Sequence, residues 1–141
     1  MLKFYLSPSG MNFFEYTNIY RNIENLGWEN TFIWSQKNFQ STFIPSSSFA
    51  ENIATGISRA DLFCAFLPGT MNTQMEIGLA YAWCREIVLS APDSCYFEDP
   101  TAESCLYVEL PEVTRFTCPR ADLPAYLKDN YFYLVDIPVS V

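Results

Sequence analysis

The chain has 141 residues, half of them hydrophobic and 17% aromatic, which suffices for one domain with a buried core and is short for two. Its 16 acidic and 8 basic residues give a formal charge of −8 with the bases scattered, which argues against a nucleic-acid polymer or an anionic membrane surface as partner. Histidine is absent, which removes His-dependent triads and most zinc sites; carboxylates, hydroxyls, amides and thiols are left to carry any chemistry.

Residues 2–6 (LKFYL) read as a strand that runs into the small polar loop Ser7-Pro8-Ser9-Gly10. In 12–26 the apolar positions Tyr16, Ile19, Tyr20, Ile23 and Leu26 recur at helical spacing, and Gly27 suits the C-cap. Residues 31–34 (TFIW) predict a second strand, 35–48 a long polar loop, and 49–60 a second helix. The run 61–67 (DLFCAFL) predicts a fully buried strand stopped by Pro68-Gly69, followed by a third helix within 69–83 and a strand at 86–90. Residues 93–103 are turn-rich, 105–118 carry extended stretches broken at Pro111, and 121–131 form a last helix.

Strands that alternate with helices predict a single α/β domain over 1–141, a mostly parallel sheet of about five strands with helices on both faces. Ligands of such sheets bind beyond the C-terminal strand ends, so the loops 7–10 and 68–73 are the first candidates for a site. The low charged content, 17%, leaves apolar surface for an interface and predicts a homodimer or higher homo-oligomer. Five cysteines without C-x-x-C spacing, with Cys64 and Cys84 inside apolar runs, predict reduced, unreactive thiols in a cytoplasmic protein. The N-terminal apolar run is too short for a signal peptide, and no apolar span is long enough to cross a bilayer.

Glu76 is the lone acid in GTMNTQMEIGLAYAW. Thr73-Gln74-Met75-Glu76 spells a capping box, with Thr73 as N-cap and Glu76 reaching back to it. A carboxylate in that first turn also faces the ligand crevice, where the helix dipole and nearby N–H donors would keep it ionised. Ionised carboxylates so placed attack sugar carbons in retaining glycosidases. Asp61 reads as a boundary residue at a strand start, and Asp93 and Glu98 as solvated acids in a turn. Tyr5, Phe13, Phe14 and Trp34 have faces that can stack on a nucleobase, although core packing accounts for each.

The segment ADLFCAFLPGTMNTQMEIGLAYAWCREIVLS, with the opening KFYLSPSG, resembles the nucleoside 2-deoxyribosyltransferase family and its relatives, the nucleoside 5′-monophosphate N-glycosidases. The resemblance spans roughly residues 2–90 and rests on an E-[IL]-G-x-A core after an apolar strand. It implies a flavodoxin-like sheet, no cofactor, no metal, and a nucleoside or nucleotide substrate. Glu76 falls on the family's nucleophile, which attacks the anomeric carbon and expels the base. Ser7, Ser9 and Gly10 fall on the loop that holds base or phosphate, and Gly69, Thr70 and Asn72 on the second substrate loop.

Two positions depart from the family. The transferases carry an Asp at the place of Thr70, whereas the monophosphate hydrolases tend to carry a serine, which a threonine hydroxyl resembles. The helix before the third strand commonly supplies an Asp that assists the leaving base; here it reads Ala50-Glu51-Asn52-Ile53, and Asn52 can bind but cannot shuttle a proton. The expectation is therefore an enzyme acting on an N-glycosidic bond, with a non-catalytic nucleotide-binding module as the alternative. A scaffold whose apolar surface is purely an interface would leave both crevice loops without a purpose.

Overall fold

The computed structural model describes residues 1–83, 86–98 and 110–131. Its elements are β1 (Lys3–Leu6), α1 (Phe13–Glu24), β2 (Glu29–Asn30), α2 (Ser47–Arg59), β3 (Leu62–Phe66), α3 (Met71–Ala82), β4 (Glu86–Ala91), the single turn α4 (Cys95–Glu98), β5 (Val113–Thr117) and α5 (Leu123–Tyr131). Short 3-10 turns cover Gln36–Phe39 and Arg120–Asp122. The five strands lie in the order β2-β1-β3-β4-β5 and every pairing is parallel. This is the order of flavodoxin-like sheets. The chain winds one way from β1 to β2 and the other way from β3 onward, so the switch point falls between β1 and β3.

The period-2 alternation of the strands divides the core into two layers. Phe4, Leu6, Leu62, Cys64, Phe66 and Val88 face α1 and α5, where Tyr16, Ile19, Ile23, Leu123 and Leu127 close the layer. Tyr5, Phe63, Ala65, Leu67, Ile87 and Leu89 face α2 and α3 and meet Ile53, Ile57, Ile77 and Ala80. β3 is buried at all five positions, as a central parallel strand covered on both faces must be. Each fully buried Leu or Phe here contributes about 1.5–3 kcal/mol of transfer free energy.

Several elements differ from the sequence reading. The second strand lies at Glu29–Asn30, before the TFIW run, and its ladder includes Glu29 N–H to Leu2 O and Thr31 N–H to Phe4 O. Beyond it, side chains take the backbone donors: Phe32 N–H goes to Asn30 Oδ1 and Trp34 N–H to the Tyr16 hydroxyl. Phe32 and Trp34 are apolar because they pack beneath α2, where Gly56 lets the helix approach: a Cβ there would lie 2.9 Å from Phe32 Cβ. α2 begins two residues early because Ser46 caps it by accepting from Phe49 N–H. α5 is shorter than the reading by its first two residues, which form a 3-10 turn. Of the extended stretches read in 105–118, residues 113–117 form β5; residues 105–109 and Cys84 lie outside the described residues.

Candidate active site

The loop after β1 turns by placing two successive residues in the left-handed region, Ser9 at φ 52° and Gly10 at φ 81°. Ser9 occupies a conformation that disfavours side chains, and its hydroxyl offsets that cost. The hydroxyl donates to Ser7 O at 3.1 Å and accepts from Phe66 N–H at 3.0 Å, tying the β1 loop to the end of β3. It is 3% exposed and both bonds go to backbone, so Ser9 shapes the site without presenting a free hydroxyl to it.

α3 starts three residues earlier than the Thr73–Glu76 spelling predicts. Thr70 is the N-cap: its Oγ1 accepts from Thr73 N–H at 3.3 Å, and Thr73 Oγ1 accepts from Thr70 N–H at 3.0 Å. The two threonines form the capping box. Gly69 makes it possible, because a Cβ at that position would sit 2.5 Å from the Thr73 side chain. Glu76 is therefore the sixth helical residue, beyond the first turn, and takes no part in capping.

Freed from the helix end, the Glu76 side chain turns toward the C-terminal end of β1 and is only 5% exposed. The Tyr5 hydroxyl donates to Oε2 at 2.5 Å, and Ser7 Oγ approaches Oε1 at 3.4 Å. Tyr5 and Ser7 are two apart on β1 and its extension, so the strand period puts both on the face that α3 covers. Trp34 Nε1–H in turn donates to Tyr5 Oη at 3.3 Å. From the sequence, Tyr5 is a core-packing residue with a face that can also stack on a nucleobase. It does stack on Phe63, with centroids 5.7 Å apart, but its hydroxyl is the main hydrogen-bond partner of the carboxylate. Period-2 counting back from Ser7 is the signal that would have found it.

Burial raises the Glu76 carboxyl from 4.5 to about 7, and the Tyr5 and Ser7 hydrogen bonds pull in the opposite direction without overcoming it. The expectation that the dipole and N–H donors keep this acid ionised is thus corrected. The second turn lies past the free amides, and desolvation dominates. Tyr5 is held well above the ordinary tyrosine value, first by burial and then by the neighbouring carboxylate. It stays a hydrogen-bond donor throughout the neutral range.

Glu76 forms part of the wall of a cavity of about 170 Å³ lined also by Trp34, Pro45, Phe49, Ala50, Ile53, Asn72, Met75 and Leu79. Among these lining residues Glu76 is the sole ionisable one. The cavity is therefore apolar and aromatic, with one acid and one amide to orient a ligand. Of the predicted site residues, Glu76 and Asn72 line the cavity, Ser7 lies buried behind Glu76 and approaches its Oε1, and Gly69 and Thr70 stand at the adjacent helix start. Gly10 stands across from Thr70, whose Cγ2 would lie 3.7 Å from a Cβ there.

Asn52 is not brought to the site. It is exposed, and α2 turns Phe49, Ala50 and Ile53 to the cavity instead. Glu51 is exposed as well. Asp61 accepts from Lys3 N–H at 2.9 Å, in keeping with a strand-boundary role, and Asp93 accepts from Cys95 N–H. Phe13 and Phe14 lie apart from this cavity, along a separate hollow beside Phe39. Cys64 is fully buried, and burial pushes its thiol far up, away from thiolate. Among the described residues, no helix is long and apolar enough to cross a membrane.

No protein-family model matches the chain. No curated protein sequence matches it either. Solved structures do. The CMP N-glycosidase BcmB of Clostridium botulinum superposes with a TM-score of 0.62 at 17% identity, over 89% of this chain and 97% of that one. A conserved protein from Enterococcus faecalis V583 superposes with a TM-score of 0.61 at 20% identity, over 92% of this chain and 98% of that one. At these identities the likeness establishes a shared α/β fold over nearly the whole length of each.

Proposed function

We propose that this chain breaks the N-glycosidic bond of a nucleoside or nucleoside 5′-monophosphate, with Glu76 as the attacking carboxylate. The observation that carries the proposal is a buried, hydrogen-bonded carboxylate in an aromatic-walled cavity at the topological switch point of the sheet. The fold shared with a CMP N-glycosidase, and the resemblance of the Glu76 segment to nucleoside deoxyribosyltransferases, support the same reading.

The chemistry follows from the geometry. A base enters the cavity against the apolar surface of Trp34 and Phe49, two rings that pack on each other edge to face at 5.1 Å and form one continuous wall. The cavity compares with the roughly 150 Å³ engineered cavity that accepts benzene, so one aromatic ring fills it. Tyr5 holds Oε2, which leaves Oε1 as the freer oxygen to attack C1′. The C1′–O bond forms as the C1′–N bond breaks, and the electron pair departs with the base. Among the described residues no second acid lines the cavity, and in this proposal the base takes its proton from water. Water or a second base then attacks C1′ of the glycosyl ester and Glu76 leaves as carboxylate. Thr70, Asn72 and the backbone of the Ser7–Gly10 turn bind sugar and phosphate oxygens. No metal or cofactor enters any of these steps.

The reading includes a cytoplasmic location and a homo-oligomer. Met71, Met75 and Ile44 are exposed by 81%, 65% and 85%, and Met75 belongs to the cavity wall itself, so a second copy placed there buries apolar surface. The alternative, a nucleotide-binding module without turnover, draws on one observation: among the described residues, neither Asn52 nor any second carboxylate reaches the cavity to assist the leaving base. A panel of nucleosides and monophosphates, read by mass spectrometry for released base, separates the two. Release by the wild type and its loss in Glu76→Gln supports the enzyme; measurable binding without release across the panel supports the module.

A further inference from the structure

Trp34 occupies a position that wall-building alone does not explain. Its backbone N–H is taken by the Tyr16 hydroxyl at 3.1 Å, and its indole stands edge-on to Phe32 at 6.0 Å and to Phe49 at 5.1 Å. These contacts fix the ring so that Nε1 points at Tyr5 Oη, 3.3 Å away. An indole N–H is a donor only, and a phenol has one proton to give. With Trp34 donating to the oxygen of Tyr5, the phenolic proton is directed to Glu76 Oε2.

We propose that Trp34 is a positioning residue for Glu76: the chain Trp34 Nε1–H to Tyr5 O–H to Glu76 Oε2 sets the direction of the Tyr5 hydrogen bond and thereby the orientation and basicity of the carboxylate. The proposal rests on the reading of Glu76 as the attacking group. Donation into Tyr5 Oη polarises its O–H and strengthens the bond to the carboxylate, as in any hydrogen-bond chain in a low-dielectric interior. The other groups facing Glu76 compete little. β1 offers Tyr5 and Ser7, and α1 offers Tyr16, whose proton is held by burial. α2 turns Phe49, Ala50 and Ile53 to the cavity, and α3 turns Asn72, Met75 and Leu79, none of them ionisable.

The test is carboxyl-carbon NMR on protein labelled at glutamate, with the Glu76 signal assigned by its loss in Glu76→Gln, titrated in wild type, Trp34→Phe, Tyr5→Phe and the double variant. Trp34→Phe keeps an aromatic wall and removes the N–H. Its Glu76 midpoint rises by about half a pH unit, and the acid limb of base release moves by the same amount. In the Tyr5→Phe background the same substitution adds no further shift, because the bond through which it acts is gone. An unchanged midpoint in Trp34→Phe, or an equal shift with and without Tyr5, overturns the proposal. If Trp34→Phe fails to fold, 3-benzothienylalanine at position 34 retains the bicyclic shape without the N–H and carries the same expectation. A wild type that releases no base while the midpoint still shifts refutes the catalytic reading and leaves the hydrogen-bond chain supported.

Discussion

Replacing Glu76 with Gln exposes the stability that the site gives up for its carboxylate. The folded-state value is about 7 and the ordinary value 4.5, so between these pH values the native state holds a proton that the unfolded chain has released. An acid raised in this way contributes its stability fully below about pH 4.5, and the contribution is lost as pH rises through about 7. The loss amounts to about 3 kcal/mol above pH 8, of which about 2 is already gone by pH 6. Gln keeps the side-chain shape, and its carbonyl accepts the Tyr5 hydroxyl without ever ionising. The variant is therefore close to wild type at pH 4.5 and more stable at pH 8 by about 3 kcal/mol, or roughly 10 °C in Tm for a chain of this size. Urea or thermal unfolding of both proteins from pH 4.5 to 8.5 measures the gap. A gap that does not widen with pH, or a Gln variant less stable than wild type at pH 8, refutes the placement of Glu76 as a buried, desolvated acid.

Other substitutions probe the supports around it. Tyr5→Phe removes the 2.5 Å hydrogen bond that holds the carboxylate down, so the acid limb of the pH–rate profile moves upward and activity at pH 7 falls about 10-fold or more; an unmoved limb would show that Tyr5 only packs. Ser9→Ala leaves the buried Phe66 N–H without its acceptor and costs about 1–3 kcal/mol in denaturant unfolding. Thr70→Ala removes the α3 cap and costs about 1 kcal/mol in the same measurement. Asn52→Ala, on the exposed face of α2, leaves base release and stability within about 0.5 kcal/mol of wild type.

Much of the fold is legible because the buried strands are written as apolar runs. LFCAF is apolar at every position, as a doubly covered central strand requires, and FFEYTNIYRNIE carries its core face at Tyr16, Ile19, Tyr20 and Ile23. TFIW misleads for a physical reason. Its residues are apolar because α2 lies on them, while side chains of Asn30 and Tyr16 take the amides that a strand would pair. The α3 start is ambiguous in one dimension, since Thr70 and Thr73 are both good caps and the Thr73–Glu76 spacing fits a capping box. The close approach of Gly69 to Thr73 decides for Thr70, and that is a three-dimensional fact. Glu76 stands out in the sequence as the lone acid of an apolar helix, whereas its partners do not: Tyr5 is 71 residues away and Trp34 belongs to neither flanking strand. Asn52 illustrates the converse limit, because a one-residue difference in helical phase separates a cavity-lining position such as Ile53 from an exposed one.

The most direct test of the central claim is to trap the covalent intermediate. Wild-type protein is mixed with the nucleoside or monophosphate that releases base fastest, quenched in acid within milliseconds to seconds, and read by intact and peptide mass spectrometry. If Glu76 is the nucleophile, the protein gains the mass of the sugar or sugar phosphate on the peptide that carries Glu76, and Glu76→Gln does not. Base release that persists in Glu76→Gln, or a sugar adduct on any other residue, contradicts it.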